Sequence, residues 1–231
     1  MVRRTREEAA ATREALLDAA ERVFRDKGVA HATLADVAKA AGMSRGAVYW
    51  HFRDKTDLFN AMCERAVLPL ERMLEQAGLV RLEDPLATLR ALCLRGLGQL
   101  AADRRTQAVF EVMFHKCEIS SEPGAAQRRN QATDRDCRRH LERVIRQAAA
   151  TGQLPPDTDT ALAAEGMHAY MVGLMHQWVL DPGAYDLAHA APALIDMWLA
   201  GLKAHPPRRA SAQRKTTGAK VAPKSRVVVM Q

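Results

Sequence analysis

Residues 33–55 read Thr33-Leu-Ala-Asp-Val-Ala-Lys-Ala-Ala-Gly-Met-Ser-Arg-Gly-Ala-Val-Tyr-Trp-His-Phe-Arg-Asp-Lys55, and the parsing of this stretch decides the fold. Thr33 precedes an apolar-periodic segment, with Asp36 three residues on. A hydroxyl followed by a carboxylate at that spacing can exchange hydrogen bonds with the free amides that open a helix. The pattern predicts a helix from Leu34 to about Ala40 that buries Leu34, Val37 and Ala38. Ala41-Gly42 makes a tight turn. Ser44 then caps a second short helix over 45–50, with Ala47 and Val48 inward. Asp54, with Asp57 three residues later, caps the next. Two short helices joined by a glycine turn have the dimensions of a helix-turn-helix, whose second helix enters the DNA major groove.

On that parsing Arg45, Gly46, Tyr49 and Trp50 face outward from the second helix. Arg45, at its start, can reach a guanine edge with two N–H donors. Gly46 carries no side chain, so the backbone can come close to DNA. Tyr49 and His51 can donate to phosphates. Thr33, Ser44 and Lys55 stand at helix starts, where free amides favour phosphate, and Lys55 adds a cation. Trp50 either packs on the DNA backbone or covers the domain. The Arg3, Arg4, Arg6 arm is either a solvated terminus or a groove or phosphate contact. Phe24 and Phe52 read as core.

On the N-terminal side, Thr12 to Lys27 places Leu16, Leu17, Ala20, Val23 and Phe24 on one helical face. Gly28 stops that helix, because left-handed geometry is cheap only for glycine. On the C-terminal side a helix starts at 55 and runs into the seventies. Pro69 lies inside it, and the lost backbone bond predicts a kink or break near Ala66–Leu68. Further helices are expected over 86–101, from an Asp103 cap to about Cys117, over 125–151, over 159–180 after an Asp157 or Asp159 cap, and over 187–203. Ser120–Gly124 reads as a loop. Val227–Val229 is the one strand-like run, isolated in a tail rich in Pro, Ser, Thr and basic residues, which reads as disordered. The expected organisation is all-α, with a DNA-binding unit over 1–54, a second helical domain over 55–203 and a basic tail over 204–231.

Composition removes several classes. The 231 residues carry a net charge of +7, with 48% apolar residues and 5% aromatics. The tail alone contributes +7, residues 1–60 sum to +2 and residues 61–203 to −2. The folded body is therefore close to neutral, and DNA binding cannot be argued from overall charge. No apolar run follows the first charges, so a secretory signal is not expected, and no membrane span is expected either. Cys63, Cys93, Cys117 and Cys137 are 30, 24 and 20 residues apart, which is neither a zinc pattern nor a disulfide scaffold; a reduced cytoplasm is the plain reading. His115 and Cys117 are two apart and do not share a helical face, so no catalytic thiol is expected. His168 and His176, without an acid at i+4, make poor metal ligands. No enzyme activity, metal or cofactor is expected. A basic tail leaves one rival reading open, a nonspecific or architectural DNA-binding protein.

Residues 33–55 resemble the DNA-binding signature of TetR-family repressors. Val112-Met-Phe-His-Lys-Cys-Glu118 and the Arg3-Arg-Thr-Arg6 arm resemble the subgroup that represses multidrug efflux pumps, the AcrR/TtgR type. The resemblance implies a helical homodimer of about nine helices per chain. Its N-terminal three bind operator DNA, and the remainder forms a ligand pocket and dimer interface. It also implies cytoplasmic repression relieved by a small hydrophobic or aromatic effector. Candidate pocket residues are Met62, Cys63 and Ala66 on the fourth helix, Phe110, Met113 and Phe114 on the sixth, and His140 on the seventh. Met167, Met171, Met175 and Trp178 follow on the eighth. A methionine and aromatic stripe at helical spacing reads more often as plain core than as a pocket, although methionine suits a pocket that repacks around different shapes. Some relatives place an acid in mid-helix four and polar groups at two later positions. Here Val67, Phe110 and Val172 stand in those regions, which favours apolar or aromatic ligands.

Overall fold

Helix boundaries follow from side chains that supply the hydrogen bonds helix ends lack. The computed structural model describes residues 6–116 and 125–209, and the side chains of 67–71, 125–127, 129 and 130 fall outside that description. The first helix, α1 (Arg6–Lys27), carries Glu7 and Glu8 in its first turn, where the helix dipole favours negative charge, and ends at Gly28 with φ +76°. Before α2 (Leu34–Ala40) the Thr33 hydroxyl accepts from the Asp36 amide at 3.1 Å, and the Asp36 carboxylate accepts from the Thr33 amide at 3.0 Å. Gly42, φ +65°, makes the turn into α3 (Arg45–His51), and Ser44 accepts from the Ala47 amide at 3.2 Å. Asp54 caps α4 (Lys55–Leu79) in the same way, from the Asp57 amide at 2.8 Å.

Of the kink or break expected near Ala66–Leu68, the break does not occur: α4 is continuous through Pro69. Proline removes one backbone bond, but the flanking halves are each anchored. Leu58, Phe59 and Met62 are buried in one core, and Leu74 and Ala77 in another. Packing at both ends holds the helix across the missing bond. The remaining helices are α5 (Pro85–Ala102), α6 (Arg104–His115), α7 (Ala125–Ala150), α8 (Thr160–Leu180) and α9 (Leu187–Ala204). Asp84, Asp103, Asp159 and Asp186 cap α5, α6, α8 and α9. Cys117, the 120–124 loop and Val227–Val229 lie outside the described residues. Among the described residues the one β-like pairing is an isolated bridge between Thr158 and Arg208.

These helices enclose two apolar cores. The N-terminal core gathers Leu16, Phe24, Val37, Val48, Phe52 and Phe59, with Phe24 and Phe59 edge to face at 6.0 Å. It does not close at residue 54, because Met62, Cys63 and Ala66 of α4 and Val109 and Val112 of α6 complete it. The C-terminal core is built by α5, α7, α8, α9 and the far half of α4, with Leu89, Leu97, Ile145, Met167 and Ile195 at its centre. Thus α4 and α6 belong to both.

Polar contacts tie the cores together. Arg65 on α4, with a side chain only 13% exposed, reaches Asp18, Glu14 and Glu21 of α1 at 2.7, 3.1 and 3.4 Å. Arg105 of α6 joins Asp18 at 3.1 Å. Burial raises the Glu21 carboxyl above its ordinary pKa, against the pull of Arg65. The Lys116 carbonyl, just past α6, accepts from the Val29 amide at 3.0 Å.

The body also extends past Lys203. The Asp159 amide donates to the Pro207 carbonyl at 2.7 Å, the Arg209 amide donates to the Asp157 carbonyl at 3.0 Å, Arg208 pairs with Asp157, and Pro206 is buried. These backbone bonds hold residues 205–209 against the α7–α8 connection, where composition alone predicts loose chain. Residues 210–231 are outside the description.

Candidate nucleic-acid interface and internal cavity

The short helix α3 buries Val48 and turns its other face to solvent. Ser44, Arg45 and Gly46 are exposed at its start, and Tyr49 and Trp50 are 60% and 71% exposed. Two large aromatics left in water on a small unit call for a partner surface. Arg45 with Tyr49 and Trp50 matches the chemistry of base edges and a sugar–phosphate backbone. The Ser44 oxygen is an acceptor within its own helix start, which leaves its O–H as a donor. The His51 ring packs edge-on against Trp50 at 4.4 Å. Arg6 opens α1, while Arg3 and Arg4 lie outside the described residues.

Of two expected phosphate donors, Thr33 uses its one hydroxyl proton within the protein and Lys55 uses one of its three N–H groups. The Thr33 hydroxyl donates to Asp36 Oδ2 at 2.8 Å, so it completes a cap and has no proton left for DNA. Lys27 and Thr33 hold the Asp36 carboxyl at a pKa of about 2. Lys55 Nζ donates to the Ala30 carbonyl at 2.7 Å, pinning the start of α4 to the α1–α2 turn. Both contacts join segments that sequence spacing treats separately.

A cavity of about 150 Å³ lies between α4, α5, α6, α7 and α8. Of the predicted pocket residues, Phe110, Met113, Phe114, Met171, Val172 and Met175 line it. Met62, Cys63 and Ala66 do not, because their stretch of α4 faces the N-terminal core. Met167 is fully buried and does not line the cavity; its Sδ takes the Cys93 thiol at 3.8 Å. Trp178 is buried, with its indole N–H donating to the Tyr185 carbonyl at 3.1 Å. His140 lines a groove outside the cavity, and the side chain of Val67 is not described.

Leu74, Leu89, Leu92 and Leu141 form apolar wall that sequence reasoning missed. Polar lining comes from Thr133 and Asp134 of α7 and His168 of α8, with Asp134 Oδ1 3.5 Å from His168 Nε2. The acid that His168 lacks at i+4 is thus supplied from another helix. Thr133, Cys137, Leu141 and Val144 recur at helical spacing inside the polar α7, a signal that could have exposed its inward face. Near the cavity the His115 and His176 rings lie 4.8 Å apart, and burial, then His176, lowers the His115 pKa.

Both α4 and α6 join the cavity to the N-terminal core, α4 through Leu74 at one end and Leu58–Ala66 at the other, and α6 within residues 109–114. Phe110 and Phe114 of α6 line the cavity, Val109 and Val112 fill the N-terminal core, and Met113 contacts both. Among the described residues no group of three or more His, Cys, Asp or Glu could hold a metal ion. No described helix is long and apolar enough to cross a membrane.

Comparison with known proteins agrees with this division. Residues 16–62 match the profile "Bacterial regulatory proteins, tetR family", and residues 84–204 match "MAATS-type transcriptional repressor, C-terminal region". The chain is 36% identical over 209 residues to the HTH-type transcriptional regulator TtgR of Pseudomonas putida, covering 90% of this chain and 100% of TtgR. Its fold is similar to that of NalD, the secondary repressor of the MexAB-OprM multidrug efflux pump in Pseudomonas aeruginosa. The TM-score is 0.74 at 34% identity, over 85% of this chain and 98% of NalD. It is also similar to SmeT, repressor of the Stenotrophomonas maltophilia multidrug efflux pump SmeDEF. In the SmeT–triclosan complex the TM-score is 0.76 at 36% identity, over 83% of this chain and 91% of that one.

Proposed function

We propose that this chain, which belongs to the TetR family of bacterial regulatory proteins, is a cytoplasmic ligand-responsive repressor of a multidrug efflux operon. The observation that carries the response is the position of α6, whose Met113 touches the cavity and the core behind the recognition helix. Arg45, Gly46, Tyr49 and Trp50 read the operator, with Ser44, His51 and the Arg3, Arg4, Arg6 arm against its backbone. The apolar wall, headed by Phe110, Phe114 and Met171, takes a hydrophobic or aromatic effector. The family profiles match residues 16–62 and 84–204 without the basic tail, so an architectural role for that tail is not favoured.

In a dimer two α3 helices can meet successive major grooves about 34–36 Å apart on a palindromic site. Leu162 and Met197, 57% and 63% exposed on α8 and α9, supply apolar surface for the second copy. Effector binding moves the equilibrium only if the cavity holds the ligand more tightly in the conformer that has left DNA. An effector in the cavity displaces Phe110 and Met113, and α6 passes that shift through Val112 and the Lys116–Val29 bond to the end of α1. Coupling thus runs through α6 as well as α4, which reaches the cavity at Leu74 rather than through Met62–Ala66. The test is binding to the DNA upstream of its own gene and of any adjacent pump operon, with and without triclosan, the compound bound to SmeT. Sequence-specific binding weakened by triclosan is expected; binding indifferent to operator sequence overturns the assignment.

A further inference from the structure

His115, at the end of α6, does not line the cavity but stands against a second histidine. Its ring centroid lies 4.8 Å from that of His176 on α8, at an interplanar angle of 58°. Phe114, a cavity residue, meets both rings edge-on, 6.2 Å from His115 and 5.4 Å from His176. Both histidines are partly exposed, yet the His115 Nε2 is buried and has no hydrogen-bond partner among the described residues. A proton there places charge on a nitrogen shut off from water. Burial first, and then His176, push the His115 pKa down; Glu111 opposes them and Lys116 adds to them. Glu111 and Lys116 sit on α6 itself. Among the described residues no charged group of α1, α4 or α5, the other helices packed on α6, acts on His115. The α7 acid that faces α8, Asp134, does so at His168, eight residues before His176. The carbonyl of Lys116 accepts from the Val29 amide at 3.0 Å, so this end of α6 is also bonded to the α1–α2 link.

We propose that the His115–His176 contact is an acid-released fastening between α6 and α8. While both rings are neutral they pack, and α6 keeps its place. As pH falls, a proton on either ring brings charge into the contact, and a proton on each sets two cations side by side. A conformer with the rings apart and wet takes up protons at the ordinary histidine value of about 6.5, so acid draws the population toward it. The contact thus supports the packed form above about pH 6.5, and that support is lost as pH falls through the lowered midpoint of His115. Parting the rings moves Phe114 at the cavity wall and Lys116 at the α1–α2 link, along the same route that carries the effector's push. Release of DNA in acid rests on the proposed function; the parting of α6 from α8 does not.

The test titrates the full-length protein, made with isotope-labelled histidine, by NMR, and reads operator anisotropy at pH 7.5 and pH 5.5 at one ionic strength. The His115 signal, assigned through its contact with Phe114, should have a midpoint below that of the urea-unfolded chain, and His176→Gln should raise it. A midpoint equal to the unfolded value overturns the proposal without recourse to any variant, as does one indifferent to His176→Gln. Operator affinity of the unaltered chain should fall about fivefold at the lower pH, the low end of ordinary allosteric coupling, and hold within about twofold in His115→Gln and His176→Gln, which cannot take the charge. Charge gained elsewhere in acid is common to the three proteins and drops out of the comparison. A fall of undiminished size in both variants overturns the fastening. A chain that binds no operator at pH 7.5 fails as a repressor, and the fastening is then judged by the titration alone. A lowered, His176-dependent midpoint with operator affinity unmoved by acid leaves the repressor and overturns the release.

Discussion

Replacing Arg65 by Met tests whether charge or packing joins α1 to α4. The guanidinium is 13% exposed and faces carboxylates that are 49%, 38% and 15% exposed, those of Glu14, Asp18 and Glu21. The two outer acids are well solvated, and each contact is worth no more than about 1 kcal/mol. Glu21 is different. Without Arg65 its charge stays in a site that burial already makes unfavourable, and stranding a buried charge costs about 3–5 kcal/mol. Methionine retains much of the apolar stem, and Glu21 can escape part of the penalty by taking up a proton. The net expected loss is about 2–4 kcal/mol at pH 7. The sign with pH follows from the same residue. Its folded-state pKa, already raised, rises further in the variant, so Glu21 destabilises the fold once pH exceeds its unfolded value. The deficit should therefore shrink as pH falls through the carboxylate range. Urea unfolding of both proteins at pH 7 and pH 4.5, at one fixed chain concentration, measures this. A loss below about 0.5 kcal/mol at pH 7, or one equal at the two pH values, refutes the reasoning.

Other consequences are open to direct measurement. Arg45→Ala should weaken operator binding by about 1–3 kcal/mol with an unchanged melting temperature, read by fluorescence anisotropy; unaltered affinity would remove Arg45 from the recognition surface. Met113→Ala should leave operator affinity in the absence of ligand within about threefold while raising the triclosan concentration needed for release about tenfold, the scale of ordinary allosteric coupling; an identical release curve would take α6 out of the pathway. The Asp36 carboxyl, held at about 2 by Lys27 and Thr33, stabilises the fold above its unfolded pKa, and that support fades as pH falls toward 2. Asp36→Asn should flatten the acid limb of the stability profile over that window, and an unchanged limb in acid titration followed by circular dichroism would count against the cap.

Much of the fold was legible because helix starts are written locally. Thr33, Ser44, Asp54, Asp103 and Asp159 each bond an amide two or three residues on, so the signal and its effect share one turn. Gly28 and Gly42 likewise mark the turns through their own backbone angles. Pro69 does not end α4 for the opposite reason: its local cost is real, yet packing with distant segments carries the helix through it.

Half of the predicted pocket met the same limit. Met62, Cys63 and Ala66 have the right chemistry and the wrong neighbours, while Asp134 and His168 become a cavity pair only because α7 and α8 cross. By itself the sequence determined the helices, the turn that presents Arg45 and Tyr49, and the near-neutral body beneath a basic tail. Which faces of α4, α6, α7 and α8 enclose the cavity, and that Thr33 and Lys55 brace the N-terminal unit, only the tertiary structure decided. Caps and turns are settled by bonds between near neighbours, whereas a cavity wall depends on which surfaces meet after tens of intervening residues have packed.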